Sequence, residues 1–237
     1  MKKKILFFED LGKKEYKETW KYQKKLFDDL IQKKENNKFY KKEAGYFLFV
    51  EHPHVYTIGK NGKKDNHLLV TSEFLKKINA SFCKTDRGGD ITYHGPGQLI
   101  GYPILNMDYF FTDIHKYLRM LEEVIIHFLW KNYGIIGERK KGRTGVWFHN
   151  QIGKSRKICA IGIRISRWVT MHGFALNVNT DLRYFDHIIP CGIYNQEVTS
   201  LKKELKKNDI SFQEVKQMVK KSFQEIFDVE FVSMHHK

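Results

Sequence analysis

The sequence has no long hydrophobic run. None of its apolar stretches approaches the roughly 20 residues that a membrane-spanning helix needs. The first residues include lysines at positions 2–4, but only four apolar residues, 5–8, precede Glu9 and Asp10. A secretory signal peptide needs an apolar region of about 7–15 residues. We therefore expect no membrane segment and no secretion signal, and a protein that resides in the cytoplasm.

Cysteine is scarce, with three widely spaced residues, Cys83, Cys159 and Cys191. An odd number of cysteines without C-x-x-C spacing provides neither a disulfide framework nor a zinc-site pattern. We expect at most one of them to react and the others to be small core residues. The histidines at 52 and 54 and the pair at 235–236 are isolated. We predict that these histidines are solvated and bind no metal.

Proline is rare as well, with four residues, and there is no linker rich in Pro, Gly or Ser, no internal repeat and no low-complexity tract. The composition, 41% hydrophobic and 29% charged, is typical of a globular protein. Nothing in the chain marks a domain boundary. We therefore predict that residues 1–237 form a single domain.

Acidic residues are outnumbered, with 27 Asp and Glu against 42 Lys and Arg, and the formal net charge is +15. A positive electrostatic field of this kind would attract an acidic partner, either nucleic acid or an acidic protein that carries a substrate. The alternative is a lysine-rich solvated surface, since most of the excess is lysine spread along the chain. A nucleic-acid partner is disfavoured because no nucleic-acid-binding motif is present and the basic residues do not cluster with aromatic ones.

Periodicity predicts three amphipathic helices, at 16–31, 114–129 and 212–226. The second follows the cap Thr112-Asp113, and the third begins with the capping-box pattern from Ser211 to Glu214. Strand-like runs lie between them, at 46–50, 81–85, 98–105, 145–148, 157–165, 169–177 and 229–232. Because helices and strands alternate without a strict βαβ repeat, we predict an α/β (α+β) fold with a mixed sheet flanked by helices.

The densest motif is the segment 87–98, RGGDITYHGPGQ. Its paired glycines permit a positive φ and let a ligand approach the backbone. Arg87 adds a fixed positive charge, Tyr93 a polar-tipped ring and His94 a titratable imidazole. The alternative is a tight turn between two strands in which His94 is structural. The segment is not a P-loop, because the Lys-Ser/Thr ending is missing, and a strand rather than a helix is predicted to follow it.

Two other segments offer chemistry. Pro190-Cys191-Gly192 places a thiol on a sharp turn, where the N–H of Gly192 can face a developing oxyanion. The alternative is a cysteine in the core. Lys157 opens the apolar strand 157–162. A lysine in that position is usually solvated, but beside a buried pocket its pKa would fall and it could act as a base, or as the ammonium it could hold a nearby thiol as thiolate.

The segments 87–98, 157–162, His172-Gly173-Phe174-Ala175-Leu176-Asn177 and Ile189-Pro190-Cys191-Gly192 together resemble, in this order, the lipoyl(octanoyl) transferases of the biotin/lipoate protein ligase superfamily. The resemblance covers roughly residues 45–205. It implies the ligase-like fold just described and an acyltransferase that needs no cofactor and no metal. It also implies that the enzyme moves an octanoyl group from octanoyl-acyl carrier protein to a lysine of a lipoate-carrying domain, as a step of lipoate biosynthesis.

The resemblance further implies the roles of individual residues. Cys191 would carry the acyl thioester, and Lys157 would lower its pKa and act as acid and base. The acceptors would be the lipoyl domains of 2-oxoacid dehydrogenase E2 subunits and the H protein of glycine cleavage, with neither nucleic acid nor membrane as partner. The residues implied to contact the acyl group are Arg87, Gly88, Gly89, Asp90, Ile91, Thr92, Tyr93, His94, Ala160, Ile161, Gly162, Gly173, Phe174 and Ala175.

The alternative on the same fold is an ATP-dependent lipoate or biotin protein ligase. Such an enzyme uses a lysine to polarise an acyl-adenylate and needs no cysteine nucleophile. Cys191 within its Pro-Cys-Gly turn favours the transferase. If Lys157 is not the base, His94 is the next candidate. The basic segment 138–156 has no assigned role.

Overall fold

The computed structural model describes residues 3–36, 43–62, 67–149, 155–189 and 197–234. Twelve strands and five α-helices are found within these ranges. The strands are β1 (Lys4–Lys13), β2 (Glu43–Glu51), β3 (Val55–Ile58), β4 (Ser81–Lys84), β5 (Ile91–His94), β6 (Gln98–Leu105), β7 (Glu138–Lys140), β8 (Arg143–His149), β9 (Ser155–Ser166), β10 (Val169–Asn177), β11 (Glu197–Val198) and β12 (Val229–Ser233). The helices are α1 (Tyr16–Glu35), α2 (Ser72–Lys77), α3 (Ile114–Tyr133), α4 (Leu201–Glu204) and α5 (Phe212–Phe227).

The strands form two sheets. The large sheet has the order β12-β1-β2-β6-β10-β9-β8-β7, and β11 pairs with β9 outside this path. β1 pairs in parallel with both β12 and β2, whereas β6, β10, β9 and β8 pair antiparallel along this path, and β11 pairs in parallel with β9. The small sheet has the order β4-β3-β5. The predicted mixed sheet is therefore confirmed.

Helices cover both faces of the large sheet. The buried stripe of α3, with Leu121, Ile125 and Phe128, shares one hydrophobic core with the buried side of α5. On the other face, Leu26, Phe27 and Leu30 of α1 pack over β6 and β10. These stripes follow the 3.6-residue period that the sequence displays.

The predicted helix starts are confirmed by their caps. The Asp113 carboxylate accepts a hydrogen bond from Lys116 N at 2.9 Å, and Ser211 Oγ accepts one from Glu214 N at 3.4 Å. α3 ends at Gly134, whose φ of +66° is the left-handed conformation that favours glycine. Each cap satisfies a backbone N–H that the first turn leaves without a partner.

The basic segment 138–156 contains the hairpin of β7 and β8, and its residues 150–154 lie outside the described part. Two of its arginines are in ion pairs. Arg156 binds the Glu204 carboxylate through two nitrogens, at 2.7 and 2.8 Å, and Arg139 pairs with Glu123 and, at 3.3 Å, with the buried Glu122. Arg139 therefore fastens the hairpin to α3, and Arg156 fastens the start of β9 to α4.

The small sheet is placed against the open edge of β9. Beyond Cys159, β9 is no longer paired with β8, and Gly88 N of the glycine-rich segment donates to Ile163 O at 2.8 Å. The side of the small sheet away from this contact packs with Phe185 and Ile188 in a separate apolar cluster. The predicted motifs meet at the space between the two sheets.

Candidate active site

A cavity of about 420 Å³ lies between the glycine-rich segment and strands β9 and β10. It is lined by thirteen of the fourteen residues predicted to contact the acyl group, those at positions 87–92, 94, 160–162 and 173–175. The glycine-rich segment and β9, which lie more than 60 positions apart in the chain, are thus brought to one place. Sequence reasoning did not identify Tyr16, Ile100, Tyr102, Leu118 or Arg143, which line the same cavity.

Tyr93 is the exception among the predicted residues. Its ring is fully buried in the apolar cluster behind the small sheet, and its hydroxyl is 2.7 Å from His54 Nδ1. Alternation along β5 explains the difference, because neighbouring residues of a strand point to opposite faces. Thr92 and His94 therefore line the cavity while Tyr93 supports the wall from behind.

Two glycines allow the wall to close on β9. A Cβ added to Gly162 would lie 3.0 Å from Gly88 O and 3.3 Å from Arg87 Cδ, so a side chain there would push the segment away. Gly89 has a φ of +83°, which other residues rarely adopt. The glycine pattern is therefore needed both for the turn and for its close approach to the strand.

Arg87 is buried, and its guanidinium holds this wall in place. Its Nη2 donates to Thr57 O at 2.7 Å and to Thr57 Oγ1 at 2.9 Å, and its Nη1 donates to Gly88 O at 3.0 Å. These contacts join the glycine-rich segment to β3. The arrangement fixes one positive charge in the cavity wall.

His94 is part of a buried hydrogen-bond chain. Gln98 Nε2 donates to Asn177 Oδ1 at 2.8 Å, so its Oε1 is the acceptor facing His94 Nδ1, also at 2.8 Å. That assigns the proton of neutral His94 to Nδ1. Burial, followed by the charges of His52 and Arg87, lowers the pKa of His94 to about 3. His94 is therefore neutral near pH 7 and a weak base, which makes it a poor substitute for Lys157.

An ion-paired cluster that sequence reasoning missed borders the cavity. Asp86 accepts a hydrogen bond from His172 Nε2 at 2.7 Å and pairs with Arg164. Burial acts to raise the pKa of Asp86, but His172 and Arg164 outweigh it and bring the pKa to about 2. His172 lines the cavity with a φ of +62°, directly before Gly173. Asp86 directly precedes the predicted motif 87–98, and this position is the only feature of the sequence that could have pointed to it.

Lys157 lies in the cavity wall with 7% of its surface exposed. Its ammonium stands over the buried ring of Trp147, 4.6 Å from the ring centroid, a favourable cation–π distance. Its carbonyl accepts from Thr199 N at 2.9 Å. Asn177, the last residue of β10, donates from Nδ2 to Thr199 O at 2.9 Å. β9 and β10 therefore both form a hydrogen bond with Thr199, the residue that follows β11.

Cys191, with the rest of 190–196, lies outside the described residues. The described chain reaches Ile189, whose N donates to His67 O at 2.9 Å, and resumes at β11, where Val198 pairs with Lys157. The other two cysteines are buried and free, as predicted. Burial raises the pKa of the thiol in both Cys83 and Cys159, which leaves each a poor nucleophile.

The prediction that His52 is solvated is wrong. Its ring is fully buried between Lys14 O, at 2.7 Å from Nδ1, and Tyr102 Oη, at 2.9 Å from Nε2. His54 is half-buried and stacks on Tyr184, with ring centroids 4.2 Å apart. Both positions lie in the connection between β2 and β3, and their partners are distant in sequence, so a local pattern does not reveal their burial. The pair at 235–236 lies outside the described residues.

Within the described ranges, no three His, Cys, Asp or Glu side chains are grouped so that they could hold a metal ion. No helix in the same ranges is long and apolar enough to cross a membrane.

Residues 15–224 match the model of the lipoyl protein ligase A/B catalytic domain. The chain belongs to this family. It is 57% identical to an octanoyltransferase of Christiangramia forsetii, over 93% of this chain and 95% of the relative. It is also 53% identical to an octanoyltransferase of Flavobacterium johnsoniae, over 98% of this chain and 100% of the relative. The resemblance to octanoyltransferases drawn from the motifs is confirmed.

Solved members of the lipoyl ligase family share the fold. A bipartite lipoate protein ligase from Thermoplasma acidophilum superposes with a TM-score of 0.72 at 17% identity, covering 100% of this chain and 88% of the other. A lipoate-protein ligase A bound with ATP gives 0.70 at 17% identity, covering 100% and 90%. The biotin/lipoate protein ligase fold expected from the sequence is therefore confirmed, and at this identity the likeness extends to the fold alone.

Proposed function

We propose that this member of the lipoyl ligase family transfers an octanoyl group from octanoyl-acyl carrier protein to a lysine of lipoyl domains, through a thioester on Cys191. The observation that supports this most is the position of Lys157, a buried cation in the wall of a cavity floored by small residues. Relatives more than 50% identical over nearly the whole chain are octanoyltransferases.

In the first half-reaction the Cys191 thiolate attacks the carbonyl carbon of the donor thioester. The new C–S bond forms as the bond to the carrier thiol breaks, and that thiolate leaves and takes up the proton of the Lys157 ammonium, which leaves Lys157 neutral. One thioester replaces another, so the step is nearly isoenergetic and needs no nucleotide. A thiol with an ordinary pKa is only a few per cent ionised at pH 7, and the ammonium of Lys157 would favour the thiolate.

In the second half-reaction the acceptor amine attacks the same carbonyl and releases Cys191. An amide bond forms, the C–S bond breaks, and the amine loses a proton. Lys157 in its neutral form would accept that proton, and His94 is too weak a base to replace it. The acceptors we propose are the lipoyl domains of 2-oxoacid dehydrogenase E2 subunits and the H protein of glycine cleavage.

The cavity suits a medium-length acyl chain. Ala160 and Ala175 are cross-strand partners on its floor, and Phe174 lies on the next position of β10. Burying seven methylene-sized groups at about 0.8 kcal/mol each would contribute on the order of 5–6 kcal/mol. Binding of the chain alone would thus supply a large part of the affinity for the donor.

The proposal is tested by mixing the purified chain with octanoyl-acyl carrier protein and an unmodified lipoyl domain, without ATP or magnesium. We expect the intact mass of the lipoyl domain to increase by one octanoyl group, since a thioester already carries the driving force. A requirement for ATP would instead identify the chain as a ligase. Free octanoate with ATP and magnesium is the matched control, and it should give no modification.

A further inference from the structure

The cavity has an open side and a closed end. Near Lys157, on β9, its lining includes the exposed Gly142 and the half-buried Arg143 and Thr144 at the start of β8. On the opposite side, the lining comes from β6, which is separated from β9 by β10. The lining residues there are Ile100 and Tyr102, which are 1% and 4% exposed. The end over β6 is therefore the blind end.

The distance between these sides matches an eight-carbon chain. Ala160 of β9 pairs with Ala175 of β10, which pairs with Ile100 of β6, so the three form one row across the sheet. At roughly 4.8 Å between strands, this row spans about 10 Å. An extended octanoyl chain, a zigzag of C–C bonds of about 1.5 Å each, is about 9 Å long.

Tyr16, the first residue of α1, forms the blind end together with His94. Its ring is 3% exposed and stacks on the His94 imidazole, with centroids 5.9 Å apart and planes at 8°. It also meets His52 edge-on at 5.1 Å, and His52 is hydrogen-bonded on both ring nitrogens. A ring held on two sides by fixed rings cannot swing aside for a longer chain.

Further space lies beside Trp20 and Cys83, two neighbours of Tyr16. A second cavity of about 430 Å³ is lined by Trp20, Phe82 and Cys83, with lysines around it. Tyr16 packs in one small cluster with Cys83, Val55 and Trp20. Tyr16 therefore lines the acyl cavity on one side and packs against Trp20 and Cys83, which line the second cavity.

We propose that Tyr16 sets the upper limit of acyl chain length by closing the blind end of the cavity. This inference rests on the proposed octanoyl transfer. Truncation of Tyr16 would open the acyl cavity toward the second cavity. Each methylene that then becomes buried would raise kcat/KM about fourfold, or about 15-fold for the two additional carbons of a decanoyl donor.

The test compares kcat/KM for octanoyl, decanoyl and dodecanoyl carrier proteins in the wild type, Tyr16→Phe, Tyr16→Leu and Tyr16→Ala. Tyr16→Phe is the matched control, because it keeps the ring and removes only the hydroxyl. We expect it to retain the wild-type preference for octanoyl. Tyr16→Ala should raise the ratio of decanoyl to octanoyl transfer by tenfold or more, and Tyr16→Leu by a smaller factor.

An unchanged ratio in folded Tyr16→Ala or Tyr16→Leu would overturn the role of Tyr16 while leaving the proposed function intact. Equal loss of all three donors in a folded variant would also overturn it, since a length limit acts on the ratio. If Tyr16→Ala does not fold, Tyr16→Leu, which retains a buried apolar side chain, decides the question. Absence of octanoyl transfer by the wild type would refute the proposed function itself.

Discussion

The buried histidines make the stability of this enzyme dependent on pH between about 5 and 7. Burial lowers the pKa of His52 to about 4, and burial together with neighbouring positive groups lowers that of His94 to about 3. A free histidine titrates near 6.5. In both cases the unfolded chain binds protons more tightly than the folded one. The contribution of the neutral histidines to the free energy of unfolding is therefore fully present above pH 6.5. It is lost as the pH falls toward 4 for His52 and toward 3 for His94.

The size of the effect follows from these values. At pH 5, protonation stabilises each unfolded histidine by about 2 kcal/mol, whereas at pH 7 the gain is only a few tenths. The two residues together should reduce the free energy of unfolding by about 4 kcal/mol between pH 7 and pH 5. Burial lowers the pKa of His172 as well, which adds in the same direction. Asp86, with a pKa of about 2, loses its contribution only below pH 4.

Urea denaturation followed by tryptophan fluorescence at pH 7, 6 and 5 measures this loss. The variant His94→Asn retains an amide donor for Gln98 but cannot be protonated. We expect it to be less stable at pH 7 and to lose only about 2 kcal/mol on going to pH 5. A wild-type loss under 1 kcal/mol, or an identical loss in His94→Asn, would show that the imidazole at the blind end is not kept neutral by burial.

Two further predictions concern the reaction. Arginine keeps a positive charge but cannot act as a base, so Lys157→Arg should form the acyl-enzyme and then stall, with transfer to the acceptor slower by roughly 10²–10⁴-fold. Single-turnover mass measurements separate the two steps, with Lys157→Ala as the uncharged comparison; near-normal transfer by Lys157→Arg would assign the base elsewhere. The net charge of +15 should steer acidic carrier proteins toward the enzyme. The apparent second-order rate constant should then fall with salt, as the Debye length shrinks from about 10 Å at 0.1 M to about 3 Å at 1 M, and a flat profile would mean that the lysines are only a solvated surface.

The elements that the sequence predicts well are those whose pattern is local. α3 and α5 carry an apolar stripe with a capping residue in front, and both begin where the caps indicate. β6, β9 and β10 contain the predicted β-branched and small residues. β1 was missed because its residues are mostly half-buried and show no clean alternation. β5 was missed because it is four residues long and lies inside a glycine-rich segment.

The cavity could be anticipated only through its motifs. Residues of the glycine-rich segment and of β9 and β10 are recognisable because their motifs, taken together, resemble those of the lipoyl(octanoyl) transferases. Tyr16 reads as one more apolar position of an amphipathic helix, and nothing nearby in sequence distinguishes it from Phe27 or Leu30. His52 resembles a solvated loop residue until β2, β6 and the start of α1 are assembled around it. Such residues owe their environment to contacts that are distant in sequence.

The proposed mechanism depends on Cys191 carrying the acyl group. The most direct measurement is mass analysis of the enzyme after brief incubation with octanoyl-acyl carrier protein in the absence of an acceptor. We predict one octanoyl group per chain, located on the peptide that contains Cys191, released by hydroxylamine and absent from Cys191→Ser. Cys83→Ser, a matched substitution of a buried cysteine, should still be acylated if it folds. Full transfer activity in Cys191→Ala, or an octanoyl group found on another residue, would contradict the mechanism.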